Sequence, residues 1–240
     1  MPNRIADIAL RQAALVAGIG YLFIFIVNSV ASAFIGLGDA ATTASYIMAS
    51  ESLFRLGIAC WVILLVADVV VAWALYVFLK PVSKSLALLT AWFRLLFTAI
   101  IGITLLNLFS GMQLLSGADY LTAFEPNQLH AQALLYLNTY AFGFNIGFVF
   151  FGIHILGLGY LIFKSGYVPR ILGVFLMIAF VGYQIDSFAS VLSSSYANNE
   201  VLFFVFVAMP AVIAELSLTL WLLIKGTKVE QQDNHAPAAP

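Results

Sequence analysis

Charge is the first thing this sequence is short of. Its 240 residues hold 10 Lys and Arg against 11 Asp and Glu, so 9% are charged and the net charge is -1 at pH 7. A soluble domain carries about 25% charged residues to clothe its surface. Such a surface is missing here. With no basic patch to neutralise phosphates, nucleic acid is excluded as a partner. The single cysteine, Cys60, excludes an internal disulfide. No Cys/His set has metal-ligand spacing, and no HExxH, GxSxG, Walker or GxGxxG stretch occurs. Haem held between helices needs two axial ligands at matched depth. Only His154 falls inside an apolar run, with His130 outside on the opposite side, so no haem or other cofactor is expected.

What the chain has in excess is apolar residues, 63% of the total, where soluble domains hold about 45–50%. They gather in six runs long enough to cross a ~30 Å hydrocarbon core: Ala13–Ile35, Leu53–Leu79, Leu86–Leu115, Leu137–Phe163, Ile171–Val191 and Val201–Ile224. Hydrocarbon offers the backbone no hydrogen-bond partners, so each run must be a helix. The expected fold is an all-α polytopic bundle of six transmembrane helices, one membrane domain over residues 1–226. Residues 227–240, ending in Ala and Pro only, read as a disordered cytoplasmic tail.

The connections alternate in charge. Arg4 and Arg11, Lys80 and Lys84, Lys164 and Arg170, and Lys225 and Lys228 fall on one side of the bundle. The stretches Gly36–Ser50, Ser116–Gln132 and Ser193–Glu200 on the other side have no Lys or Arg. The positive-inside rule makes the basic side cytoplasmic. Both termini then face the cytoplasm, as an even number of spans requires, in the plasma (inner) membrane. The longer loop with Pro126 could hold a short interfacial helix. Ala31-Ser32-Ala33 resembles a signal-peptide cleavage site, but the apolar run continues through Phe34 and Ile35, so a retained first span is expected.

Ionisable residues at membrane depth are costly and mark either a partner or a task. They are Arg55, Asp68, Arg94, His154, Asp186 and Glu215. Each lies on a stripe of small or polar residues, which points all of them toward the bundle interior. A short turn makes the second and third spans antiparallel neighbours. At ~1.5 Å per residue Asp68 and Arg94 reach the same level, and they are expected to pair. Glu215 and His154 fall at similar depth, completing an expected polar core of Asp68, Arg94, His154 and Glu215. Nearer the outer face, Glu51, Arg55, Tyr183 and Asp186 form a second expected cluster, with Glu51 and Arg55 at i,i+4 spacing. Three acids against two Arg leave one acid without a base at depth. Asn28, Asn107, Asn145 and Gln184 are expected to bond between helices, and Pro210 to loosen the last span. Gly143 and Gly147 form a GxxxG, which permits a close helix crossing and offers a face for oligomers.

Three stretches carry a resemblance. They are Glu51-Ser52 with Arg55-Leu56-Gly57; Asp68 through Leu79-Lys80-Pro81-Val82 to Ala91-Trp92-Phe93-Arg94; and Gly159-Tyr160 through Pro169-Arg170-Ile171-Leu172-Gly173 to Gly182-Tyr183 and Ile185-Asp186-Ser187. In kind and order these resemble a bacterial family of six-span integral membrane proteins known only as a domain of unknown function. The resemblance implies the six-span fold and a plasma-membrane setting, and supplies no activity or site residues. The residues themselves favour a polar-cored bundle that binds, senses or transports a small solute or a proton. A structural or accessory membrane protein ranks second. An intramembrane, lipid-acting enzyme using Glu215 or Asp186 with His154 ranks third. Lipid and a small-molecule or proton ligand are the expected partners.

Overall fold

The protein is described here from a computed structural model. It covers residues 9–35, 40–193 and 209–226, with Val205 and Val207. Among these residues seven α-helices run in order: α1 (Leu10–Ile35), α2 (Ala40–Ala49), α3 (Glu51–Leu79), α4 (Lys84–Leu114), α5 (Pro126–Ser165), α6 (Arg170–Leu192) and α7 (Met209–Ile224). A 3-10 turn spans Asp119–Ala123. The described residues hold no strand, and the chain is a helical membrane bundle. Five helices, α1, α3, α4, α5 and α6, are long and apolar enough to cross a membrane. The sixth expected run, Val201–Ile224, is described as a helix from Met209, giving the shorter apolar α7. Val205 and Val207 ahead of it have π-helical backbone, which puts the loosened turn just before Pro210. The tail expected at 227–240 lies outside the described residues.

Local signals set the helix ends. Ser83 Oγ accepts from the Leu86 backbone N–H to start α4. Glu125 and Gln128 make a reciprocal capping box around Pro126, the first residue of α5. Gly166, at φ 75°, closes α5 in the left-handed conformation. Tyr167 in the next turn donates to the Phe78 carbonyl at 2.8 Å and packs edge-on against its ring. That contact ties the α5–α6 turn to the end of α3.

The two longer outer stretches differ from the loops expected there. Residues 40–49 are helix α2, which buries Thr43, Ala44 and Ile47. Its Tyr46 donates to the Phe34 carbonyl of α1 at 2.9 Å. Within Ser116–Gln132, the interfacial helix expected there takes the form of the 3-10 turn and the first turns of α5. The capping box starts α5 eleven residues before Leu137, and nothing breaks the helix between them.

The five spanning helices and α7 form a closed ring, α1–α3–α4–α5–α6–α7 and back to α1. Large aliphatic side chains such as Ile26, Val66, Ile103 and Leu106 face outward, as lipid contact demands. Two apolar cores fill the interior. One lies toward the 80–83 and 166–169 turns and includes Ala17, Leu75, Phe78, Leu158, Leu176 and Leu218. The other lies at the opposite end, where Ile35, Ile47, Phe54, Leu108 and Leu137 meet.

Glycines set the closest approaches. A methyl on Gly173 would lie 2.5 Å from the Gly159 carbonyl oxygen, so α5 and α6 touch backbone to backbone. Gly143 and Gly147 are seated against Thr104, Ile101 and Phe97 of α4. The GxxxG face expected to serve oligomers is therefore filled within the chain.

Candidate functional site

Five polar side chains meet at one level between the two cores. Counted from the helix ends on one side, Tyr21 is 11 residues from Leu10 and Asp68 is 11 from Leu79. Arg94 is 10 from Lys84, His154 is 11 from Ser165 and Glu215 is 9 from Ile224. At about 1.5 Å per residue all five lie about 14–17 Å in, half-way through a ~30 Å core.

Arg94 is the centre. It is 1% exposed, the largest fully buried side chain among the described residues. Its Nε donates to Asp68 Oδ1 at 3.0 Å, and Nη2 donates to the same oxygen. Thr98, one turn on along α4, donates to Asp68 Oδ2. Both carboxylate oxygens are thereby satisfied, as a buried ion pair requires. Arg94 Nη1 donates to Tyr21 Oη at 2.8 Å and to His154 Nε2 at 3.2 Å. Arginine has no acceptor, so His154 Nε2 must accept. His154 Nδ1 faces the Thr90 carbonyl at 2.9 Å and must donate. The imidazole thus carries its hydrogen on Nδ1, and neither nitrogen is left over. The guanidinium also lies over the rings of Tyr21, at 4.8 Å, and Phe151, at 5.5 Å.

Glu215 stands apart from this network. Its Oε1 accepts from Tyr183 Oη at 2.7 Å, and no base pairs with it among the described residues. Glu215 is thus an acid at membrane depth with no base on it among the described residues. A cavity of about 210 Å³ opens above the cluster, on the side away from the 80–83 turn. Glu215, Asp68, Arg94, Tyr21 and Tyr183 form its polar end. Phe97, Phe144, Phe148, Phe151 and Trp61 wall it, and Asn28, itself exposed, marks its far end. The five spanning helices and the shorter α7 all contribute. Along α5 the wall is built at helical spacing: Tyr140, Phe144, Phe148 and Phe151 touch ring to ring in sequence. Trp61 Nε1 faces into this region buried and without a hydrogen-bond partner.

The four residues expected as a polar core therefore share one level. Three of them are directly bonded, and Glu215 lies beside them on the cavity. The second expected cluster is not assembled. Glu51 and Arg55 pair with each other at 2.7 Å on the first turn of α3. Their side chains are 47% and 55% exposed, so Arg55 does not point inward. A helix end reaches the interface, where an i,i+4 pair satisfies itself without neighbours. Tyr183 turns instead to Glu215, and Asp186, half-buried, does not line the cavity. Gln184 bonds between helices, donating to the Val149 carbonyl at 3.0 Å, while Asn107 bonds within its own helix. Tyr21 went unread in the sequence. A phenol eleven residues into the first span, level with Arg94, was the available signal.

Residues 16–226 match the model of a family described as Domain of unknown function (DUF4386). The chain belongs to the DUF4386 family. The match takes in all five cluster residues and the whole ring of helices but the first six residues of α1. A relative described as an uncharacterized protein, from Archaeoglobus fulgidus, is 34% identical over 169 residues, covering 70% of this chain and 83% of the relative. No solved structure matches the chain.

Proposed function

We propose that this DUF4386 protein sits in the plasma membrane with both termini in the cytoplasm, and that its polar core binds, senses or moves a small solute or a proton. One observation carries the reading. A cavity lined by every helix of the ring ends on Glu215, a carboxylate with no basic partner among the described residues. A charge at that depth costs several kcal/mol unless something meets it. The orientation rests on the bases, which, apart from the buried Arg94 and the Glu51-paired Arg55, gather at one set of helix ends.

Within this reading the roles divide. Asp68, Arg94, Thr98, Tyr21 and His154 satisfy one another and hold four helices of the ring, α1, α3, α4 and α5, in register. Glu215 and Tyr183 face the cavity and do the binding. The saturated ion pair also suits the second reading, an accessory protein without a ligand. The intramembrane-enzyme reading loses its base, because both His154 nitrogens are already engaged.

Reconstituted protein should show saturable binding or flux of a small solute or of protons. Glu215→Gln should reduce it, and Asp68→Asn should reduce it only as far as it lowers folded protein. Unchanged flux and binding in both variants would leave the accessory reading standing. Fusing a periplasm-active reporter to either end of the chain should give no signal if the termini are cytoplasmic.

A further inference from the structure

Resting on the reading that the cavity takes a solute, we infer that its ligand is a compact organic cation, a tetraalkylammonium or protonated alkylamine group. Three features of the cavity point there.

The first is the sign of the unmatched charge. Arg94 and Asp68 neutralise each other directly. Glu215 remains, bonded only by the neutral Tyr183 phenol. The cavity therefore presents one uncompensated carboxylate.

The second is the state of Arg94, the guanidinium that lines the cavity. Arg94 spends four N–H groups, two on Asp68, one on Tyr21 and one on His154. One of its five remains, on a side chain that is 1% exposed. An incoming carboxylate or phosphate would find no fork to grip. Glu215, at 8% exposure, and Asp68, at 6%, offer more surface than Arg94, and of the two acids only Asp68 is held by the guanidinium.

The third is the wall. Phe97, Phe144, Phe148, Phe151, Trp61 and Tyr183 surround the cavity. Such a lining gives a hydrated inorganic ion nothing to replace its waters. It suits a cation whose charge is wrapped in methyl or methylene groups, which gains from ring quadrupoles in a water-poor site. A volume of about 210 Å³ lies below the ~300–1,000 Å³ of drug-sized pockets, so the cation is small.

The test uses three probes of nearly one shape. They are choline, its uncharged analogue 3,3-dimethylbutan-1-ol, and the anion 3,3-dimethylbutanoate. Each is titrated by calorimetry into full-length protein in phosphatidylcholine-free detergent. Choline should bind at least about tenfold tighter than the alcohol, and the anion should not bind. Glu215→Gln should weaken choline by about tenfold or more while leaving the alcohol unchanged. Phe148→Leu keeps apolar volume and removes a ring. It should weaken choline several-fold with the carboxylate intact, which keeps the inference testable should Glu215→Gln not fold. Equal binding of choline and alcohol, or preference for the anion, overturns the cation assignment and leaves a solute-binding cavity. Absence of binding by all three overturns the assignment, while Glu215-dependent proton flux in vesicles would still uphold the broader reading.

Discussion

Arg94 shows what one residue can commit a membrane bundle to. Its charge is buried, so each neighbour must be an acceptor or a ring, and α1, α3 and α5 all supply one. Removing one partner of such a pair costs about 3–5 kcal/mol, because the other charge is stranded. Asp68→Ala should therefore lower the melting temperature in detergent sharply, whereas the paired change Asp68→Leu with Arg94→Met should recover much of the loss. A double variant no better than the single would refute the stranded-charge account. The Asp68–Arg94 pair was legible because a short turn fixes two helices as neighbours and rise per residue fixes their depth. Tyr21 and His154 were not legible as its partners, since sequence does not say which distant helices adjoin. The same blindness assigned Tyr183 to Asp186, its neighbour on one helix, when its bond runs to Glu215 on the next. At the membrane edge, burial pushes the Tyr167 phenol above its ordinary value. Folding then favours the neutral form, and this contribution is fully present below the unfolded pKa of about 10 and lost only as pH climbs through the higher folded value. Tyr167→Phe should cost about 1 kcal/mol through the lost bond to Phe78, visible as a modest fall in thermal stability at neutral pH.

At the scale of elements, the α5–α6 pair depends on two hydrogens. With the Gly159 carbonyl 2.5 Å from where a Gly173 methyl would sit, neither backbone can yield without the other moving. Gly173→Ala should part the helices and lower the yield of folded protein more than Gly117→Ser, whose site has open space around it despite its positive φ. Fluorescence-detected size-exclusion would compare them, and equal monodisperse yields would argue against the backbone contact. The spans themselves were legible, because hydrocarbon imposes a length and a composition on any helix crossing it. Helix α2 and the early start of α5 were hidden by the same logic. A helix outside the hydrocarbon needs no apolar run, and its signals are weaker: a capping box at Glu125 and Gln128, and a buried edge at Ala44 and Ile47.

For the whole molecule, composition alone dictated an all-helical membrane bundle, since no other arrangement hides this much apolar surface and every backbone amide. The circular order of the helices was beyond it. That order creates the site, because only a closed ring brings Glu215 of α7 to the level and vicinity of Tyr21 of α1. Weakening the seam between α1 and α7 should then damage ligand response before it damages assembly. Gly18 faces Leu222 and Leu223 there, with a methyl at Gly18 reaching within 2.9 Å of Leu223. Gly18→Leu should reduce choline affinity at least several-fold in protein that still elutes as a single species, and unchanged affinity in such protein would contradict the closed ring.

The 40 residues of α5 amount to a rod of about 60 Å, roughly twice the hydrocarbon thickness, and even a 40° tilt leaves it taller than the fatty core. Part of it must therefore stand in water, braced by α2. An added protease reaching that side would meet wound helix around residues 126–136 where a hydropathy plot promises slack chain, and should cut there slowly.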